Sequence, residues 1–147
     1  MDSWDHRFLR LAKEIASWSK DPSTKVGAVA VGPNRNVLAQ GYNGFPRGIF
    51  DYEDRYNNRE VKYRYVVHAE MNVIYNASYN GVSLDGATLY IHGLPPCSEC
   101  AKGILQVGIK CVIIPSMVIP EQWRKSWLHS NSMLNEAGVE CKMINTH

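Results

Sequence analysis

Two short stretches constrain this chain more than any others. VVHAEMNVIYN (66–76) places His68 and Glu70 at the start of a helical run, and GLPPCSEC (93–100) places Cys97 and Cys100 at the start of another. In the first run Ala69, Val73, Ile74 and Ala77 recur on one side, the spacing of an amphipathic helix over 69–79. The second run, 98–107, ends at Gly108, a good C-terminal stop. Each helix follows a strand or an extended segment. In a parallel α/β arrangement such helix starts point to one edge of the sheet, the edge where these sheets take ligands. The two motifs can therefore converge.

The rest of the chain supplies such a sheet. Residues 2–19 carry Phe8, Leu11, Ala12, Ile15 and Trp18 at helical spacing, with Arg7, Arg10, Lys13 and Glu14 opposite. Pro22 disfavours helix at Asp21. VGAVAV (26–31) and VLAQGY (37–42) read as strands, and GPNRN between them as a turn, so the pair is an antiparallel hairpin. Residues 43–65 are polar, aromatic and without periodicity, and read as a long loop of the kind that often carries function. Strands follow at 87–92, 110–114 and 139–144, with a helix from Glu121 to about Ala137. Alternating strands and helices in the second half imply parallel strands joined by right-handed crossovers. The expected class is α/β, a three-layer α/β/α fold with a mixed five-stranded sheet, and the expectation is one domain over 1–147.

The formal net charge of +2 gives no case for a duplex-binding protein and leaves room for a local basic pocket. No apolar run approaches the ~18 residues needed to span a bilayer, and MDSWDHRFLR lacks the order of a signal peptide. A cytoplasmic protein is expected, with no membrane or nucleic-acid partner. Thiols stay reduced there, so C-x-x-C reads as a metal or redox element rather than a disulfide.

Cys97, Cys100 and His68 make a three-ligand zinc set with a fourth position open for water, the arrangement of catalytic rather than structural sites. C-x-x-C offers two sulfurs from one helix turn, and a helix N-terminus favours thiolates. Two thiolates and a neutral imidazole cancel the charge of Zn²⁺. Ionising a bound water would leave a negative charge, and Glu70 is the natural proton acceptor, base first and acid afterwards. Alone, a C-x-x-C is as often a redox pair, and a His-x-Glu usually marks a solvated helix start. Together they match H-x-E…P-C-x-x-C, the signature of zinc-dependent nucleobase deaminases.

DPSTKVGAV (21–29), GYNGFPRG (41–48), KYRYVVHAEMN (62–72), GATLYIHGLPPCSECAKGILQVGIK (86–110) and EAGV (136–139) extend the match over about half of the chain. On these stretches the sequence resembles the cytidine deaminase superfamily, and within it the deoxycytidylate (dCMP) deaminases. HAE and PCxxC mark the superfamily; GYNGxPRG and Lys-Tyr-x-Tyr before HAE are more specific. The resemblance implies a cytidine-deaminase-like fold and one zinc held by His68, Cys97 and Cys100. It also implies proton shuttling by Glu70 and hydrolysis of dCMP to dUMP and ammonia, supplying dUMP for dTMP synthesis. Asn43 would meet the sugar, the Ala69 backbone the base, and Thr24 and Lys25 the phosphate. Activation by dCTP with Mg²⁺, inhibition by dTTP, effector contacts at Arg47 and a homo-oligomer, commonly a hexamer, follow from the same resemblance.

Each residue also has a structural reading. Asn43 opens an Asn-Gly turn dipeptide, Thr24 and Lys25 fit a solvated turn, and Arg47 fits a solvated loop. Where relatives carry a substrate-contacting tyrosine after the fourth strand, this chain has PSMVIPEQWRKSW, with Trp123 and Arg124 as stand-ins. Tyr63 and Tyr65 are stacking candidates or packing residues. Cys111 and Cys141 read as strand packing without a second zinc, and His6, His92, His129 and His147 have no motif context. The alternatives are a same-fold deaminase of cytidine, guanine or tRNA adenosine, and a non-catalytic zinc or thiol domain.

Overall fold

The sheet is built from alternating apolar residues that serve two different helix layers. In the computed structural model, which describes residues 3–146, α1 (Trp4–Ala16) is followed by β1 (Gly27–Val31) and β2 (Val37–Tyr42). Then come α2 (Glu53–Asn57), α3 (Arg59–Tyr65), α4 (Ala69–Tyr79), β3 (Thr88–His92) and α5 (Ser98–Gln106). β4 (Cys111–Pro115), α6 (Glu121–Glu136) and β5 (Glu140–Ile144) complete the order. Val29, Val31, Tyr90 and Ile113 pack against Phe8, Leu9, Ala12 and Ile15 of α1. The alternate residues Ala28, Ala30, Leu89, Ile91, Val112 and Ile114 pack on the other side against α4, α5 and Leu134 of α6. This period of two with both faces covered is the expected three-layer α/β/α architecture.

The strand order is β2-β1-β3-β4-β5. β1 is antiparallel to β2 and to β3, while β3, β4 and β5 are parallel. Four strands thus point one way and β1 the other. The C-terminal ends of β2, β3 and β4 share an edge with the start of β1. The segments 17–26, 43–68, 93–97 and 116–120 all lie on that edge.

The segment 43–65 is not one loop: it holds α2 and α3. The first has Glu53 and Asp54 in its opening turn, where acids favour a helix start. The second is capped by the Asn58 side chain, which accepts from Val61 N at 3.2 Å. Helices of 5 and 7 residues are too short to show an apolar period, and each buries one residue, Tyr56 and Lys62. α1 also ends earlier than the 2–19 reading, at Ala16, and Trp18 lies half-exposed, edge-on to Tyr42. Asp2 and His147 lie outside the described residues. His6 joins the chain's two ends, its Nε2 standing 2.9 Å from the Asn145 carbonyl oxygen. Cys111 and Cys141 are half-buried and pack on opposite faces of the sheet, and burial pushes the Cys141 thiol up to about 11.

Gly41 lets α4 lie directly on β2: a Cβ there would stand 2.6 Å from Val73 N and 2.8 Å from Ala69 O. Gly41→Ala should cost about 1–3 kcal/mol, the range for overpacking a rigid contact. Thermal unfolding of the variant should show a melting point several degrees lower. Gly44→Ala, whose Cβ meets nothing nearer than 3.9 Å, is the matched control and should melt with the wild type.

Candidate metal centre and cleft

His68 is the N-cap residue of α4 and Cys97 the N-cap residue of α5, both with extended backbone (φ −68, ψ 155 and φ −75, ψ 171). A cap residue leaves the helical path, so its side chain stands over the helix start. Cys97 Sγ accepts from Cys100 N at 3.4 Å, which folds the C-x-x-C turn so that both sulfurs face one point. His68 Nδ1 lies 3.4 Å from Cys97 Sγ and 3.4 Å from Cys100 Sγ. One donor atom of each residue falls within a sphere of mutual separations no larger than 4.8 Å.

These separations fit a metal. A tetrahedral zinc with Zn–S of about 2.3 Å and Zn–N of about 2.0 Å has donor–donor edges of roughly 3.5–3.8 Å. Two soft sulfurs and an imidazole are a set zinc favours. Among the described residues no fourth His, Cys, Asp or Glu joins them. A fourth position is therefore open to a small molecule.

The electrostatics point the same way. Hydrogen bonds from the Cys100 thiol and from His68 hold the Cys97 thiol down at about 4 against the opposing effect of burial. Cys100 is pushed up, because its proton is the one lent to Cys97 and because it is buried beside Glu70. His68 is raised, first by its hydrogen bond with Cys97 and then by the Glu70 charge. Glu70 is 3% exposed, and burial pushes its carboxyl up although the His68 charge opposes this. Three donors thus compete for protons at one spot beside a carboxyl whose affinity for a proton has moved toward neutral pH.

The cluster opens into a cleft of about 390 Å³, within the ~300–1,000 Å³ of small-molecule sites. His68, Ala69 and Glu70 form its inner end. Val26, Asn43, Leu94, Pro95 and Trp123 form its walls. The exposed Lys25, Arg59, Tyr63 and Gln122 and the half-buried Thr24 form its outer end, and the buried Lys62 belongs to its wall.

Not every residue singled out in the sequence comes here. Asn43 is 6% exposed and clamps the chain before β1: its Oδ1 accepts from Val26 N at 2.8 Å and its Nδ2 donates to Thr24 O at 2.8 Å. An amide has two donor hydrogens and two acceptor lone pairs, so one of each remains. The Lys25 ammonium donates to the Ser19 carbonyl while lining the cleft. Trp123 donates through Nε1 to Pro95 O at 2.9 Å, and its ring centroid is 6.1 Å from that of His68. Arg124 instead pairs with Glu121 at 3.5 Å on the exposed side of α6. Tyr63 reaches the cleft, whereas Tyr65 packs beside Phe45 and under Arg55. Arg47 lies on a second cleft of about 440 Å³ with Tyr42, Tyr75 and Asn76. There it donates to Asn76 Oδ1 at 2.5 Å and stacks 4.6 Å over Tyr79.

Sequence reasoning passed over Arg59, Lys62 and Gln122. Lys62 begins the Lys-Tyr-x-Tyr run, so its position was marked. Its burial depends on Asp21, a residue remote in sequence.

Similarities to known proteins agree with this geometry. Residues 2–116 match the family model described as the cytidine and deoxycytidylate deaminase zinc-binding region. An uncharacterized deaminase in the luxG 3′ region of Aliivibrio fischeri is 38% identical over 95% of this chain and 92% of its own length. A probable deoxycytidylate deaminase of Drosophila melanogaster is 41% identical over 95% of this chain and 71% of its own. The crystal structure of dCMP deaminase from cyanophage S-TIM5 in complex with dCMP and dUMP superposes with a TM-score of 0.75 at 29% identity, covering 94% of each chain.

Zinc binding needs a neutral imidazole and free thiolates, so protons compete with the metal. Bound zinc holds its ligands deprotonated, so it should be retained at neutral and alkaline pH and released only as acid protonates His68, Cys97 and Cys100 in competition with it. Metal analysis after dialysis at stepped pH should give about one zinc per chain at the alkaline end, with progressive loss toward acid. Cys100→Ala should lose the metal at every pH.

Proposed function

The chain belongs to the cytidine and deoxycytidylate deaminase zinc-binding family, and from that premise we propose that it hydrolyses dCMP to dUMP and ammonia. The observation that carries this reading is the polarity of one cleft. His68 of the His-Cys-Cys trio and the buried Glu70 line its inner end, and Lys25 and Arg59 stand at its outer end. A molecule with a reactive ring at one end and a phosphate at the other matches that polarity. The S-TIM5 relative, solved with dCMP and dUMP, supports the same substrate.

His68, Cys97 and Cys100 would hold a zinc ion, which would supply a Lewis acid that acidifies water at its open position. The protein's own residues do the rest. The Glu70 carboxylate takes a proton from the attacking water and returns it to ring N3. It then moves the second proton to the departing amino nitrogen, so that water and dCMP balance dUMP and ammonia. Its raised affinity for a proton suits both directions of that transfer. The Ala69 N–H is among the four at a helix start without an intrahelical partner, and it lines the cleft, free to read the base. The spare donor and acceptor of Asn43 suit a sugar hydroxyl. Trp123 roofs the inner end and excludes water. Thr24, Lys25 and Arg59 serve the phosphate, to which a guanidinium can offer paired donors. A closed, non-catalytic metal site would need a fourth ligand, and a thiol-redox pair would have no use for Glu70.

The same reading includes a cytoplasmic single-domain chain, regulated by dCTP and dTTP. The second cleft, with Arg47 beside Tyr42 and Tyr75, offers a cation and rings for such an effector. Its lining has no carboxylate, so Mg²⁺ would arrive with the triphosphate. A homo-oligomer, hexameric by resemblance, fits the exposed rings of Tyr42 on β2 and of Tyr75 and Tyr79 on α4, with Trp18 edge-on to Tyr42.

Ultraviolet assays on dCMP, dCTP, cytidine and adenosine test the substrate. Turnover should be fastest on dCMP. Equal rates on cytidine would show that the phosphate is not recognised. Glu70→Gln should retain zinc and lose about 10²–10⁴-fold in kcat, the range for a proton-transfer group. A zinc-loaded variant as fast as the wild type would remove Glu70 from the mechanism. Added dCTP should raise and dTTP lower the rate on dCMP, and no response to either would end the regulatory reading.

A further inference from the structure

Lys62 is a buried cation in the wall of the cleft. Its side chain is 11% exposed and that of its partner Asp21 is 3% exposed. Lysine is almost never buried unless paired. Its Nζ lies 3.3 Å from Asp21 Oδ2 and donates to Ser23 Oγ at 3.0 Å. The Asp21 carboxylate also accepts from Ser23 N at 2.9 Å, Ser23 Oγ at 3.0 Å and Thr24 N at 3.3 Å. Burial alone would push that carboxyl up. The Ser23 and Thr24 hydrogen bonds and the Lys62 charge outweigh it and hold the carboxyl below its usual range.

The pair therefore joins two pieces of the cleft. Asp21 belongs to the segment between α1 and β1, which carries Thr24 and Lys25 to the outer end. Lys62 belongs to α3, which ends three residues before His68 and also carries Arg59. Resting on the nucleotide reading above, we infer that Lys62 is a positioning residue for the substrate's anionic end, acting through Asp21 rather than touching the phosphate. An ammonium has three donor hydrogens, and Nζ already meets both Asp21 oxygens, at 3.3 and 3.5 Å, as well as Ser23 Oγ. A phosphate on Nζ would also meet the Asp21 carboxylate, charge against like charge. The Ser23 hydroxyl, donating to Asp21 and accepting from Lys62, has no proton left to give. Arg59 is different. Its Nε donates to the Tyr63 hydroxyl at 3.1 Å and its guanidinium lies 5.3 Å over the Tyr63 ring, while its terminal amino groups make no hydrogen bond among the described residues. Arg59 meets the anion, and Lys62 fixes the loop that faces it.

A mutant cycle tests this by KM against kcat on dCMP. Lys62→Met leaves Asp21 buried and uncompensated, which disorders the loop. It should raise KM about tenfold or more with kcat changed less than about threefold and zinc retained. Adding Asp21→Asn removes the stranded charge and keeps a side chain that can accept from the Ser23 and Thr24 amides. The double variant should recover most of the lost KM, and Lys62→Arg should stay near wild type. If Lys62 bound the phosphate, the double variant would be no better than Lys62→Met, and the inference would be overturned. A KM unchanged in Lys62→Met would overturn it equally. Should Lys62→Met fail to fold, the double variant alone decides, by a KM near wild type or far above it. Wild-type protein inactive on dCMP would instead sink the substrate reading. The pair would then be read by hydrogen exchange at the Ser23 and Thr24 amides, faster in Lys62→Met and restored in the double variant.

Discussion

Two helices of this chain begin on residues whose side chains face each other, and the rest of the structure serves that meeting. His68 caps α4 and Cys97 caps α5. Neither helix could bring its cap to the other unless β2 and β3 ran in the same direction. They do so because β1 lies between them, antiparallel to both. Gly41 sets the height of α4 above the sheet, and Met71 and Ile74 of α4 crowd Gly103 of α5, where a Cβ would stand 2.8 Å from the Met71 sulfur. Small residues at these crossings fix the spacing of the two helix starts. That spacing in turn leaves three donor atoms at the separations of one tetrahedral ion.

The same edge explains why the cleft exists at all. Because four strands end there and β1 begins there, the segments that line it come from five places in the sequence. Polar contacts tie several of them down in addition to apolar packing. Asn43 clamps residues 24 and 26, Trp123 is pinned to Pro95, and Ser130 of α6 donates to Pro96 O at 2.8 Å. The formal charge of +2 conceals this polarity. Lys62 is cancelled by Asp21, so the outer end owes its positive character to Lys25 and Arg59.

What could be read from the sequence was what is local. The helix starts at His68 and Cys97, the five strands and the two-sided sheet each leave a signature within a dozen residues, and the structure has them all. The misses have two causes. α2 and α3 are shorter than two apolar periods, so no periodicity could reveal them, and only the caps and first-turn acids hinted at helix. The burial of Lys62 depends on Asp21, forty-one positions away, so no local pattern announces it. Asn43 carried a turn signal that was silent about its side chain. Trp123 and Arg124 are adjacent on one helix, and nothing in the sequence said which of them faces His68. For the three side-chain placements the missing information was tertiary.

The central claim is that this chain holds one metal on His68, Cys97 and Cys100 with a fourth position left open beside Glu70. X-ray absorption at the zinc edge measures it most directly. The account predicts two sulfur scatterers at about 2.3 Å and two nitrogen or oxygen scatterers at about 2.0–2.1 Å, one of them not from the protein. Three or four sulfurs in the shell, or an edge that persists unchanged in Cys100→Ala, would contradict it.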